Sequence, residues 1–153
     1  MAGRRALTVP EERQLLRVLR KSRSRDRAMI TTQWLTGFRI GEVLSLTLGD
    51  VLRHGRIVPK IGIGPRHLKG HYGRTRWIPV LPELGRALRA HLDALPGQYS
   101  GNPGHPLFPS RQRDTGGRVR PLGRSQAHDI IKKIFSVARI EDDGRLGTLA
   151  PIR

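Results

Sequence analysis

The spacing of the apolar residues most constrains the fold: runs at helical period flank a single strand-like region. Leu15, Leu16, Val18 and Leu19 make one apolar face, opposite Arg13, Arg17, Arg20 and Lys21. Ahead of them, Thr8, Pro10 and Glu11 have the spacing of a capping box and predict the start of a first helix. After a break at 22–25, Asp26 is placed to cap a second helix running through Ala28, Met29, Ile30, Trp34 and Leu35. This helix is apolar on all sides, as a buried helix is, and Gly37 is placed to end it. Ile40, Val43, Leu44 and Leu46 predict a short third helix, closed near Asp50. Strand-like sequence follows at 56–63 and 74–80, and His67-Leu68-Lys69-Gly70-His71-Tyr72-Gly73 between them reads as a hairpin turn. The expected product is one small antiparallel sheet of two or three strands. Pro82 opens another helix, with Leu84, Leu88, His91, Leu92 and Leu95 on one face. A Gly/Pro-rich loop then leads to an apolar anchor, Leu107-Phe108. Residues 111–123 read as a polar loop bearing Arg111, Arg113, Arg118 and Arg120. Ser125 is placed to cap a last helix striped by Ile130, Ile131, Ile134, Phe135 and Ala138, and 141–153 read as an irregular tail. No internal repeat is present. Helices segregated around a small sheet place the chain in the α+β class, mainly helical, as one domain over 1–153 with a basic lead at 1–7.

The charge narrows the class of partner. Lys and Arg number 29 against 12 Asp and Glu, a formal charge of +17, and Arg far outnumbers Lys. Such a surplus repels itself and is best tolerated against a polyanion. Nucleic acid is the expected partner, since a guanidinium can hold two phosphate oxygens at once; a merely solvated basic surface is the plainer alternative. The absence of cysteine excludes disulfides and thiolate metal sites. No apolar run approaches the length of a membrane span, and the sequence MAGRRALTVPEE lacks the apolar stretch of a signal peptide. A soluble, cytoplasmic protein, nucleoid-associated when bound to DNA, is therefore expected.

One segment is more specific than composition. Thr36-Gly37-Phe38-Arg39-Ile40-Gly41-Glu42-Val43-Leu44-Ser45-Leu46, followed by Asp50, resembles the first signature block of the tyrosine recombinases, the phage-integrase family. Weaker matches lie in order along nearly the whole chain. Leu7 to Glu12 is similar to the family's "LT-PEE" lead into the catalytic domain, and Asp26-Arg27 to the opening of its second helix. Arg74-Thr75-Arg76-Trp77-Ile78-Pro79-Val80 resembles its "K-x-R-x-V-P-L" strand, and Leu107-Phe108-Pro109-Ser110-Arg111 its "LFPSR" segment. The resemblance implies a DNA-binding catalytic domain that acts without metal or other cofactor through a covalent phosphotyrosine link. It implies Arg39 as the first catalytic arginine, with Glu42 orienting the turn and offsetting local charge. An arginine suits that place because the scissile phosphate gains charge in the transition state. The plainer reading of Arg39 is a surface arginine paired with Glu42. Lys69 matches the hairpin lysine that protonates the leaving sugar oxygen. The span from Lys69 to Arg76 is longer than the commonest family hairpin, with Lys60 and Arg66 as stand-ins, and a phosphate-contacting or solvated lysine is the alternative. Arg39, Arg66, Lys69, Arg74, Arg76 and Arg111, within an Arg-rich stretch at 111–124, are the candidate DNA contacts.

The family's later His-x-x-Arg block and nucleophilic tyrosine have no match. Gly147-Thr148 is followed by Leu149 where the family has His, and Arg153 lacks the context of the second catalytic arginine. Tyr72 and Tyr99 lie in the hairpin and in a Gly/Pro loop, unlike the family nucleophile. The expectation is a C-terminally truncated catalytic domain that binds double-stranded DNA, with other recombinase protomers as a further candidate partner, without cleaving DNA alone. A non-catalytic basic DNA-binding module, or a modulator of an intact recombinase, is the alternative; a small RNA-associated protein fits the charge but not the signature block. His67 and His71 have no acidic companion for a metal, and Gly62-Ile63-Gly64-Pro65 lacks the ending of a phosphate loop. No small-molecule substrate and no membrane partner are indicated. Trp34 and Trp77 are expected in the core or a sheet, and His128 on the surface.

Overall fold

A computed structural model of the chain describes residues 6–64 and 73–140. The first helix, α1 (Val9–Arg20), begins as its sequence predicts. Thr8 Oγ1 accepts from Glu11 N at 3.3 Å, and Thr8 N donates to Glu11 Oε2 at 2.8 Å. Leu15 and Leu19 are its buried residues. The central element is α2 (Ser24–Thr36), buried without interruption from Ala28 to Thr36. Its polar residues survive burial by bonding within the helix: Thr32 Oγ1 donates to Ala28 O at 2.7 Å, and Thr36 Oγ1 donates to Thr32 O. Asp26 does not cap α2. The cap position is Arg23, with no side-chain bond, and Asp26 sits inside the first turn paired to Arg25 at 2.9 Å.

Two short helices follow, α3 (Ile40–Leu44) and α4 (Leu48–Val51). Asp50 does more than close the region: its Oδ2 accepts from Thr47 N at 2.8 Å and starts α4. Next come β1 (Leu52–Arg53) and β2 (Arg56–Ile57), joined by His54 and Gly55, both at positive φ (52° and 75°). That two-residue turn matches the twist of a hairpin. The pair β3 (Lys60–Ile63) and β4 (Arg76–Pro79) is antiparallel, with Ile61 opposite Ile78, Gly62 opposite Trp77 and Ile63 opposite Arg76. Ile61 and Ile63 face the core.

Helix α5 (Pro82–Ala94) packs mainly on α2, burying Leu84, Ala87, Leu88 and His91. Leu107 and Phe108 are fully buried and anchor the following loop, with Leu107 N donating to Leu46 O at 2.8 Å. The polar stretch after them is a hairpin rather than a loop: β5 (Pro109–Arg113) pairs with β6 (Val119–Pro121). Asp114 organises its tip, Oδ1 accepting from Gly116 N at 2.9 Å and Arg118 N at 2.8 Å. Only Pro109 and Ser110 of β5 are buried, so no alternating apolar signal marks the strand. Helix α6 (Arg124–Val137) closes against α1 and α3. Its cap is Gly123, so Ser125 lies inside it.

The fold is thus α+β and mainly helical, as expected, around one core of helices and inward-facing strand residues. The strands differ from expectation by forming three separate two-stranded ribbons instead of one sheet. Trp34 lies in the core and Trp77 in a strand, as expected; on β4 Trp77 is 60% exposed. His128 is half-buried rather than on the surface, with its Nε2 shielded.

Candidate functional site

The turn from Thr36 to Glu42 is determined by its own sequence. Gly37 takes a left-handed conformation, φ 72°, and its N–H donates to Gln33 O at 2.9 Å, which ends α2. A side chain there would cost about 1–2 kcal/mol. Thr36 Oγ1 accepts from Phe38 N at 3.1 Å, and the Phe38 ring is fully buried. Glu42 reaches back one turn, its Oε1 accepting from Arg39 N at 2.8 Å. The backbone of Arg39 is therefore held on both sides while its side chain is exposed.

Arg39 is not the partner of the Glu42 carboxylate. That place belongs to Arg76 of β4, whose Nη2 lies 3.4 Å from Glu42 Oε1. The Arg76 guanidinium also sits over the Phe38 ring, 4.9 Å from its centroid. The Glu42 side chain is only 8% exposed, so its charge needs this backbone donor and this guanidinium to offset desolvation. Among the described residues, Arg39 has no carboxylate partner, which sets aside the reading of a surface arginine paired with Glu42.

A third arginine joins from the start of α6. A Cβ built on Gly41 would lie 2.5 Å from Arg124 Nη2 and 3.2 Å from its Cζ, so the Arg124 guanidinium rests on Gly41. Arg39, Arg76 and Arg124 thus share one short turn: Arg76 pairs with its buried carboxylate, Arg124 rests on Gly41, and the Arg39 backbone is held by Glu42, which leaves a surplus of positive charge, an arrangement suited to a phosphate. The 111–124 stretch pointed toward Arg124 only as its last member. The sharper trace is the small residue at position 41, which α3 needs in order to accept the guanidinium.

The other candidates are divided. Arg74 is exposed just before β4. Arg111 lines a separate cavity of about 380 Å³ with Arg23, Ser24, Arg25, His91 and Tyr99. That cavity borders the N-terminal end of α2, whereas Arg39 follows its C-terminal end, roughly 20 Å along the axis. Tyr99 belongs to the same distant cavity, with the Arg113 guanidinium 5.7 Å from its ring centroid. Lys60 pairs with Pro79, at the opposite end of the ribbon from Arg76. Lys69, Arg66, Tyr72, His67, His71, Leu149 and Arg153 lie outside the described residues.

His91 is a titratable group clearly moved from its ordinary value. Burial pushes its pKa down, and Arg25 adds to this; the bond to Leu107 O, at 2.7 Å, works the other way. The carbonyl can only accept, so Nε2 carries the proton. Phe108 stacks on the ring at 5.1 Å, and His91 is best understood as a structural residue. Among the described residues there is no cluster of three or more metal-ligating side chains, and no helix long and apolar enough to cross a membrane.

Comparison with known proteins bears on the family and the fold. Residues 5–147 match the model of the phage integrase family. The chain is 31% identical over 84 residues to tyrosine recombinase XerC of Herpetosiphon aurantiacus, covering 55% of this chain and 25% of that protein. It is 33% identical over 90 residues to tyrosine recombinase XerC of Rhodospirillum centenum, covering 59% of this chain and 24% of that one. The match therefore spans about a quarter of the length of these relatives. The crystal structure of XerA recombinase superposes with a TM-score of 0.65 at 21% identity, over 90% of this chain and 44% of that chain, and so shares its fold. With the family model matched along most of its length and its signature turn built as described, the chain belongs to the phage integrase family of tyrosine recombinases.

Proposed function

We propose that this chain is the phosphate-gripping part of a recombinase catalytic domain, binding double-stranded DNA with Arg39 on a backbone phosphate. The carrying observation is the clasped turn: Glu42 fixes the Arg39 backbone while Arg76 occupies its carboxylate, which leaves the Arg39 guanidinium to bind outward. Two guanidinium N–H groups held in one plane suit two phosphate oxygens, and suit them better as charge builds in an in-line displacement. Arg39 is the catalytic residue in this reading, and Glu42 positions it. Arg76 and Arg124 add positive potential on either side. Lys69 would protonate the leaving sugar oxygen. The segment that carries it connects Ile63 to Arg76, and this paired end of the ribbon is the end beside Glu42.

The 153-residue chain, taken by itself, is proposed to bind without cutting. Cleavage needs a tyrosine hydroxyl in line with the scissile bond, and Tyr99 lies in the cavity at the far end of α2. Another protomer supplies such a group only if it carries a tyrosine that this chain lacks. A duplex with a nicked family-type site tests both parts. Anisotropy should report salt-sensitive binding that Arg39→Ala weakens by about tenfold, within the usual span for a charge-assisted contact. Denaturing gels should show no protein–DNA adduct. An adduct would refute the proposed lack of cleavage. Duplex affinity equal in wild type and Arg39→Ala would refute the assignment of Arg39.

A further inference from the structure

The outer face of the β3–β4 ribbon plays no part in the site above. Strand alternation sends Arg76 and Ile78 to one side and Trp77 to the other. Trp77 is 60% exposed, an uncommon state for the largest apolar side chain. Its six-membered ring rests on Gly62, directly across the ribbon: a Cβ there would meet Cζ3 at 2.8 Å and Cε3 at 2.9 Å. Covering a cross-strand glycine is a structural role in itself. It accounts for contact with the ribbon and leaves most of the ring in solvent.

The exposed indole borders an open cleft of about 920 Å³, lined also by Arg53, His54, Arg56 and Lys60. Arg53 and Arg56 stand directly opposite each other across the β1–β2 hairpin, a placement that costs free energy unless an anion lies between them. Asp50 is the acidic residue of the lining, and its Oδ2 is already engaged by Thr47 N at 2.8 Å and Thr47 Oγ1 at 3.1 Å.

We propose that this face binds single-stranded nucleic acid, with one base stacked on Trp77 and neighbouring phosphates on Arg53, Arg56 and Lys60. An exposed ring beside a row of cations is the chemistry that unpaired strands use. A duplex keeps its base faces stacked inside and has none to offer the indole. An acidic peptide would satisfy the cations, but its carboxylates are repelled by the negative face of the ring. A second copy of a chain carrying +17 is disfavoured by charge. The proposal shares no residue with the Arg39 site and does not depend on its assignment.

The test uses the whole chain, a labelled oligothymidylate and a labelled duplex. Trp34 is 2% exposed and supplies a constant background, so quenching by the oligonucleotide reports on Trp77. Trp77→Leu should abolish quenching and weaken oligothymidylate binding, read by anisotropy, by about fivefold or more, while leaving duplex affinity unchanged. Trp77→Phe should retain most of the affinity, and Arg53→Ala with Arg56→Ala should lower the salt slope for the single strand. Should Trp77→Leu fail to fold, Trp77→Phe and the double arginine variant carry the test. Single-strand binding unchanged in Trp77→Leu, or in the arginine variant where Leu is unfolded, would overturn the proposal. So would polyglutamate competing as well as unlabelled oligothymidylate. Loss of duplex binding confined to Arg39→Ala would report separately on the other site.

Discussion

Replacing Glu42 separates the two roles given to its carboxylate. Its Oε1 accepts from Arg39 N at 2.8 Å and faces Arg76 Nη2 at 3.4 Å, in a side chain only 8% exposed. Glu42→Ala removes both partners. The backbone bond to a charged acceptor contributes about 1.5–3 kcal/mol. The Arg76 side chain is 43% exposed, so solvent screens the ion pair and it adds no more than about 1 kcal/mol. Glu42→Ala should therefore cost about 2–4 kcal/mol in urea unfolding. Glu42→Gln keeps a carbonyl oxygen for Arg39 N and loses only the charge, so it should cost about 1 kcal/mol. The double variant with Arg76→Ala should show a coupling of about 1 kcal/mol or less. If Gln proved as damaging as Ala, the charge rather than the backbone bond would be holding the turn, and the reasoning would fail. An Ala variant within about 0.5 kcal/mol of wild type would mean that no clasp forms.

Two further predictions concern Gly41, beside Glu42, and His91, in the cavity at the other end of α2. Gly41→Ala should be close to neutral in stability, because the clash is with the end of the flexible Arg124 side chain and Ala favours the helix by about 0.8–1 kcal/mol; duplex affinity should nevertheless fall as Arg124 is displaced, and unchanged affinity would remove Arg124 from the interface. His91 has a folded pKa below its ordinary 6.5, so in the window beneath 6.5 the unfolded chain binds more protons than the folded one. Stability from this group is complete above that value and is lost as pH falls through the window. His91→Gln should flatten this part of the urea midpoint's pH dependence, and a slope unchanged by the substitution would assign it elsewhere.

The helices were legible because each buries a stripe or a whole surface. Leu15 and Leu19 mark α1, the unbroken run from Ala28 to Thr36 marks α2, and Leu84 and Leu88 mark α5. Their starts were legible where a proline opens the helix, as Pro82 does for α5, or where a side chain does the capping. Thr8 does so, and α1 begins as expected; α2 and α6 begin at Arg23 and Gly123 without side-chain caps, and Asp26 and Ser125 misplace both starts. The β5–β6 hairpin was hidden for a different reason. Its strands expose Arg111, Gln112 and Arg113, and its turn is set by hydrogen bonds to Asp114 rather than by any apolar alternation.

The candidate site divides along the same line. Its local half follows from short-range rules: a positive φ requires glycine at 37, and a carboxylate at 42 can reach a backbone N–H three residues back. Its long-range half does not, since Arg76 meets Glu42 across 34 residues and Arg124 arrives from another helix. Periodicity cannot distinguish these arginines from the others in so basic a chain. What distinguishes them is what they touch. Arg76 needs a buried acid and an aromatic face, and Glu42 and Phe38 provide them. Arg124 needs a place where α3 lacks a side chain, and Gly41 provides it. In a chain with this excess of cations, the residues that receive the guanidinium groups carry more positional information than the arginines themselves. Arg39 has no such receiver among the described residues, and this is the ground for proposing its guanidinium, of the three, as the one that takes a phosphate.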